Sequence, residues 1–65
     1  MRPRANPSPV RTARERVGMT REQLAVAAGL SSSTLYLVER AGLISPATAA
    51  KLAQVLGVQP ADLRP

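Results

Sequence analysis

The residues of this chain best equipped for chemistry are hydroxyls and guanidiniums. Ser31, Ser32, Ser33 and Thr34 stand in a row, Tyr36 and Leu37 follow, and Arg40 closes the stretch "GLSSSTLYLVER". A hydroxyl both donates and accepts a hydrogen bond, so the run suits a partner with mixed donors and acceptors. A guanidinium suits phosphate or carboxylate, which it grips with parallel N–H groups. Arg21 precedes the serine run, and Arg2, Arg4, Arg11, Arg14 and Arg16 crowd the first quarter of the chain.

Acid–base and metal chemistry lack their usual carriers. The 65 residues include no histidine and no cysteine, which removes the commonest general base, the thiolate ligands and any disulfide. The acids Glu15, Glu22, Glu39 and Asp62 are scattered, with no pair at a metal-ligand or acid–base spacing. An enzyme is therefore not expected, nor a cofactor or a metal. No apolar run approaches the ~18 residues of a membrane span. No apolar segment follows "MRPRANPSPVR", so a signal peptide is not expected and a cytoplasmic location is. The net charge of +5, concentrated near the N-terminus, favours a polyanion as partner.

The elements that must position these side chains are helical. Apolar residues recur at helical spacing, and turn residues separate the groups. Residues 1–8 read as a flexible basic arm and 9–65 as one small domain. Ser8 caps a helix whose first residue is Pro9, a position that needs no N–H. Val10, Ala13 and Val17 form its apolar face, and Gly18 ends it in the left-handed conformation. Thr20 and Gln23 make a capping box for the second helix, flanked by a Met19–Leu24 staple. That helix stops at Gly29. Ser31 caps a third helix running over 32–40. Ser45 and Pro46 open a fourth, which turns Ala49, Leu52, Ala53 and Leu56 inward and ends at Gly57. A short fifth turn starts near Pro60 and returns Leu63 to the core. The expected fold is an all-α compact bundle of four to five short helices.

Residues 20–40 form one unit. A second helix can cross the first closely only if Ala25 is small and Gly29 lets the backbone turn. Leu24, Ala28, Leu30, Leu35 and Val38 must be apolar to close the angle between the helices. These are the demands of a helix-turn-helix. The segment "TREQLAVAAGLSSSTLYLVER" resembles the phage-repressor family of Cro and the lambda-type repressors, also called the XRE family. "RERVG" is similar to that family's ending of the first helix, and "SPATAAKLAQVLGVQPADL" to its fourth and fifth helices. The resemblance runs from about Val10 to Leu63.

The resemblance implies a buried ion pair between Arg14 and Glu39 that fixes the recognition helix against the first helix. It also implies that base contacts come from Ser32, Ser33 and Leu37, with Thr34 and Tyr36 near the DNA backbone. Serine reads either donor or acceptor edges, so it is a permissive reader, whereas Leu37 can pack on a thymine methyl. Arg21, at the first position of the second helix, is placed to clamp a phosphate or reach a guanine. Arg40 is placed to grip a second phosphate, and Arg2 and Arg4 to track the backbone or enter a minor groove. The helix starts at Thr20 and Ser31 offer N–H groups to phosphates.

Two features depart from the family pattern. The loop "AGLIS" carries Leu43 and Ile44 where basic residues are usual, and Val26 and Ala27 stand where polar residues are usual. Leu43 and Ile44 are read as a candidate interface, for self-association or for another protein. The expected function is a sequence-specific DNA-binding transcriptional regulator, bacterial or phage-like and nucleoid-associated, acting as a dimer on double-stranded DNA. The alternatives are a protein-interaction module docking through Leu43 and Ile44, and a nonspecific DNA binder.

Overall fold

The structure is a computed structural model and describes residues 8–64. Four α-helices follow in order: α1 (Pro9–Arg16), α2 (Arg21–Ala28), α3 (Ser32–Ala41) and α4 (Pro46–Leu56). A single 3-10 turn, Pro60–Leu63, closes the fold. The fold is all-α, and no strand occurs among the described residues. The basic arm read over 1–8 lies, from residue 1 to residue 7, outside the described residues; so do Arg2 and Arg4.

Each helix starts where a side-chain oxygen meets an orphan backbone N–H. The Ser8 Oγ accepts from the Arg11 amide at 3.4 Å. At α2 the box is reciprocal: the Gln23 amide donates to Thr20 Oγ1 at 3.0 Å, and the Thr20 amide donates to Gln23 Oε1 at 2.8 Å. Ser31 and Ser45 receive the amides of Thr34 and Thr48 at 3.1 and 3.2 Å. The Gln59 amide donates to Asp62 Oδ2 at 3.1 Å at the start of the terminal turn.

The exits use positive φ. Gly29 sits at φ +71°, and the Leu30 amide reaches back to the Ala25 carbonyl at 2.8 Å. This six-to-one bond turns the chain sharply between α2 and α3. α3 ends at Ala41, one residue beyond the expected Arg40, where Gly42 at φ +71° donates its amide to the Val38 carbonyl at 3.1 Å.

The core is built from Val10, Leu24, Leu35, Val38, Leu52, Ala53, Leu56 and Leu63, with Met19, Leu30, Ile44 and Val58 packed against it. Ala25 is buried where α2 is crossed, which explains the small side chain. α4 packs on α2 and α1 and receives the terminal turn, so it backs the helix-turn-helix without forming part of its outer face.

The apolar face expected for α1 needs one correction. Val10 and Ala13 are buried, but Val17 is 49% exposed. The helix ends at Arg16, and Val17 is its C-cap at φ −93°, ψ 4°. The helical periodicity that would have turned Val17 inward is therefore broken before it applies. Gly18 still takes φ +75°, one residue past that cap.

Candidate nucleic-acid interface

The interface is organised by Arg14. Its Nε donates to Glu39 Oε2 at 2.9 Å and its Nη2 to Glu39 Oε1 at 3.2 Å. Its Nη1 donates to the Met19 carbonyl at 2.9 Å. The two side chains retain 10% and 4% of their exposure. One guanidinium thus ties together α1, the last turn of α3 and the carbonyl preceding the Thr20 cap of α2. A planar fork meeting a carboxylate edge-on fixes orientation as well as distance.

Glu39 faces a second arginine. Arg21 Nε lies 3.5 Å from Glu39 Oε1, close enough for attraction. That N–H is buried yet makes no hydrogen bond, so the contact is charge-on-charge only. The rest of the Arg21 guanidinium reaches outward, with Cζ 5.2 Å from the centre of the Tyr36 ring. Arg40, one turn further along α3, places its Cζ 5.9 Å from the same ring. Tyr36 is therefore flanked by two cations at cation–π distance. Arg11 joins Arg21, Tyr36 and Arg40 around a shallow hollow of about 170 Å³, and is itself paired with Glu15 at 3.0 Å.

Beside this cationic cluster the starts of α2 and α3 enclose an open groove of about 430 Å³. Arg21, Glu22, Ser32, Ser33, Tyr36 and Leu37 line it. The fold thus brings together Arg21, Ser32, Ser33, Tyr36 and Leu37 from among the residues singled out in the sequence. Ser31, Thr34 and Thr20 are engaged differently. Ser31 Oγ donates to Thr34 Oγ1 at 2.8 Å while accepting from the Thr34 amide, and Thr20 Oγ1 receives the Gln23 amide. Their hydroxyls hold helix ends. Glu22, passed over in the sequence because it neighbours no other acid, lines the groove alongside Arg21. Its signal was position: it shares the first turn of α2 with Arg21.

Leu43 is 66% exposed in the loop after α3, whereas Ile44 is half-buried and packed against the core. Only Leu43 of that pair presents most of its surface to solvent. Val26, on α2, is 81% exposed. Among the described residues no cluster of acids, His or Cys could hold a metal ion, and no helix is long and apolar enough to cross a membrane.

A recognition helix clamped to its neighbours, with hydroxyls and arginines on its outer side, is the construction of a helix-turn-helix domain. A family model described as Helix-turn-helix matches residues 10–63, and the chain belongs to this DNA-binding family of Cro- and lambda-repressor-like, or XRE, domains. No curated protein and no solved structure matches the chain.

Proposed function

We propose that the domain is a sequence-specific transcriptional regulator that binds double-stranded DNA as a dimer, with α3 in the major groove. The observation that carries the reading is the grouping of Arg21, Ser32, Ser33, Tyr36 and Leu37 on one groove beside Arg40. Arg21 and Arg40 face phosphates, while Ser32, Ser33 and Leu37 meet base edges. The Arg14–Glu39 pair supports it, because base readout needs a helix held at a fixed angle. A single domain with so few multidentate base contacts binds modestly and with strong salt dependence. Two copies on half-sites about one helical turn apart supply the remaining affinity. Leu43 is the candidate contact between copies.

Selection of duplexes from a random DNA pool at near-physiological salt tests the reading. Enrichment of a two-fold symmetric site is the expected result. Recovery of DNA without enrichment would leave a nonspecific binder, and no recovery would remove DNA as the partner of this chain.

A further inference from the structure

Arg11 lies on the same face of α1 as Arg14, one turn earlier, because residues three apart on a helix are neighbours. Arg14 turns inward to Glu39, whereas Arg11 lines the hollow of about 170 Å³ together with Arg21, Tyr36, Glu39 and Arg40. Both oxygens of Glu39 are already held by Arg14. The charge of Arg14 therefore offsets that carboxylate, and the guanidiniums of Arg11, Arg21 and Arg40 leave the hollow cationic. Arg21 and Tyr36 also line the groove at the starts of α2 and α3, so the two depressions share a wall. A DNA strand that borders α3 passes beside the hollow.

Arg11 is restrained by its own helix. Its Nε donates to Glu15 Oε2 at 3.0 Å. Three features make this a weak hold. The side chains are 59% and 55% exposed, so water screens the pair. The acid follows the base along the helix, which is the weaker order for a pair four residues apart. Glu15 also sits in the last turn of α1, where the negative end of the helix disfavours a carboxylate. A phosphate offers Arg11 the same two-oxygen edge, with two further cations beside it. Exchange of Glu15 for phosphate needs only a side-chain rotation at the surface.

We infer that Arg11 is a DNA-contact residue supplied by α1 and held in reserve by Glu15. A backbone phosphate entering the hollow draws Arg11 off Glu15 and is seated by Arg11 together with Arg21 and Arg40. Glu15 thereby competes with DNA and lowers affinity for every duplex alike. The inference rests on the DNA-binding reading above and adds a contact and a restraint to it.

The test uses the full 65-residue chain and the site selected from random DNA, with folding of each variant checked by circular dichroism. Arg11→Ala is expected to weaken binding about fivefold at near-physiological salt and to lower the salt slope by about 1, as the loss of one phosphate contact does. Arg16→Ala removes the same charge away from the hollow and is expected to change the slope far less. Glu15→Gln is expected to strengthen binding about twofold, the worth of an exposed pair four residues apart. In the Arg11→Ala background that gain is expected to vanish, which separates release of Arg11 from a general gain of positive charge. Methylphosphonate, which is uncharged, then replaces each backbone phosphate in turn. One position per half-site is expected at which Arg11→Ala costs nothing further. Arg11→Ala indistinguishable from Arg16→Ala, a Glu15→Gln gain that persists without Arg11, or no such phosphate overturns the inference and leaves the regulator reading standing. Failure to bind any duplex overturns both.

Discussion

Arg14 and Glu39 stand 25 positions apart in the chain and meet through two charge-assisted hydrogen bonds of 2.9 and 3.2 Å. Both side chains are almost wholly withdrawn from solvent. Removing one partner leaves the other charged and buried, which costs about 3–5 kcal/mol. Glu39→Ala is the harsher change, because it leaves Arg14 and Arg21 facing each other without a carboxylate. Replacing both partners with apolar residues of similar volume, as in Arg14→Met with Glu39→Leu, is expected to cost less than either single change. Urea unfolding of the two single variants and the double variant checks the order.

Ser31 and Thr34 separate a capping role from a DNA-contact role. Ser31→Ala removes the acceptor for the Thr34 amide and is expected to lower stability by about 0.5–2 kcal/mol. At a temperature where the variant remains folded, its preference among DNA sequences is expected to match that of the unmodified chain. Ser33→Ala is expected to do the reverse, altering sequence preference with little loss of stability, because Ser33 is exposed and lines the groove. Thermal unfolding and duplex binding measured side by side distinguish the two.

Gly29→Ala isolates backbone strain. A Cβ placed at Gly29 meets nothing within 4 Å, so no neighbour must move. The φ of +71° nonetheless lies in the left-handed region, where an L side chain costs about 1–2 kcal/mol. The expected midpoint shift in urea corresponds to that amount, with an unchanged dependence on denaturant. A larger loss would mean that the turn between α2 and α3 deforms and carries the recognition helix with it.

The local grammar of the chain was legible in its sequence, and its long-range detail was less so. Thr20 with Gln23, Ser45 with Pro46, and Gly29 each announce a helix end within four residues, because capping is a local hydrogen-bond problem. The inward positions of α4 follow from spacing alone. The Arg14–Glu39 contact spans two helices, and only likeness to a family points to it. Val17 shows the limit of periodicity: the pattern continues past Arg16, while the helix does not. Glu22 neighbours no other acid in the sequence and joins the groove only because α3 lies beside α2. The cap at Ser31 is read from the sequence, but the hydroxyl of Thr34 looks free there, whereas it accepts from Ser31 Oγ at the start of α3.

Leu43→Asp probes the candidate contact between copies. The side chain is 66% exposed, so a carboxylate there stays hydrated and the fold is expected to persist within about 0.5 kcal/mol. On a two-fold symmetric duplex the variant is expected to lose cooperative occupation of the second half-site while still filling one. Sedimentation of the protein–DNA complex reads the stoichiometry directly. Unaltered two-copy binding would place the contact between copies elsewhere on the domain.

Arg21→Ala and the Tyr36 variants test how the cationic edge works. Arg21 is drawn toward Glu39 at 3.5 Å and lies 5.2 Å from the Tyr36 ring centre, so both neighbours limit where its free N–H groups point. Arg21→Ala is expected to weaken binding across all duplexes and to reduce the salt slope by about 1, as the loss of one phosphate contact does. Tyr36→Phe keeps the aromatic face and is expected to leave affinity nearly unchanged if the ring acts by holding Arg21. Tyr36→Leu removes the face and is expected to weaken binding by roughly 0.5–1 kcal/mol, the worth of an exposed cation–π contact. Equal losses for Phe and Leu would assign the effect to the Tyr36 hydroxyl, as a donor to phosphate in its own right. Titrations of the variants at several salt concentrations, on one specific and one unrelated duplex, separate these outcomes, because a positioning effect acting through Arg21 disappears in the Arg21→Ala background.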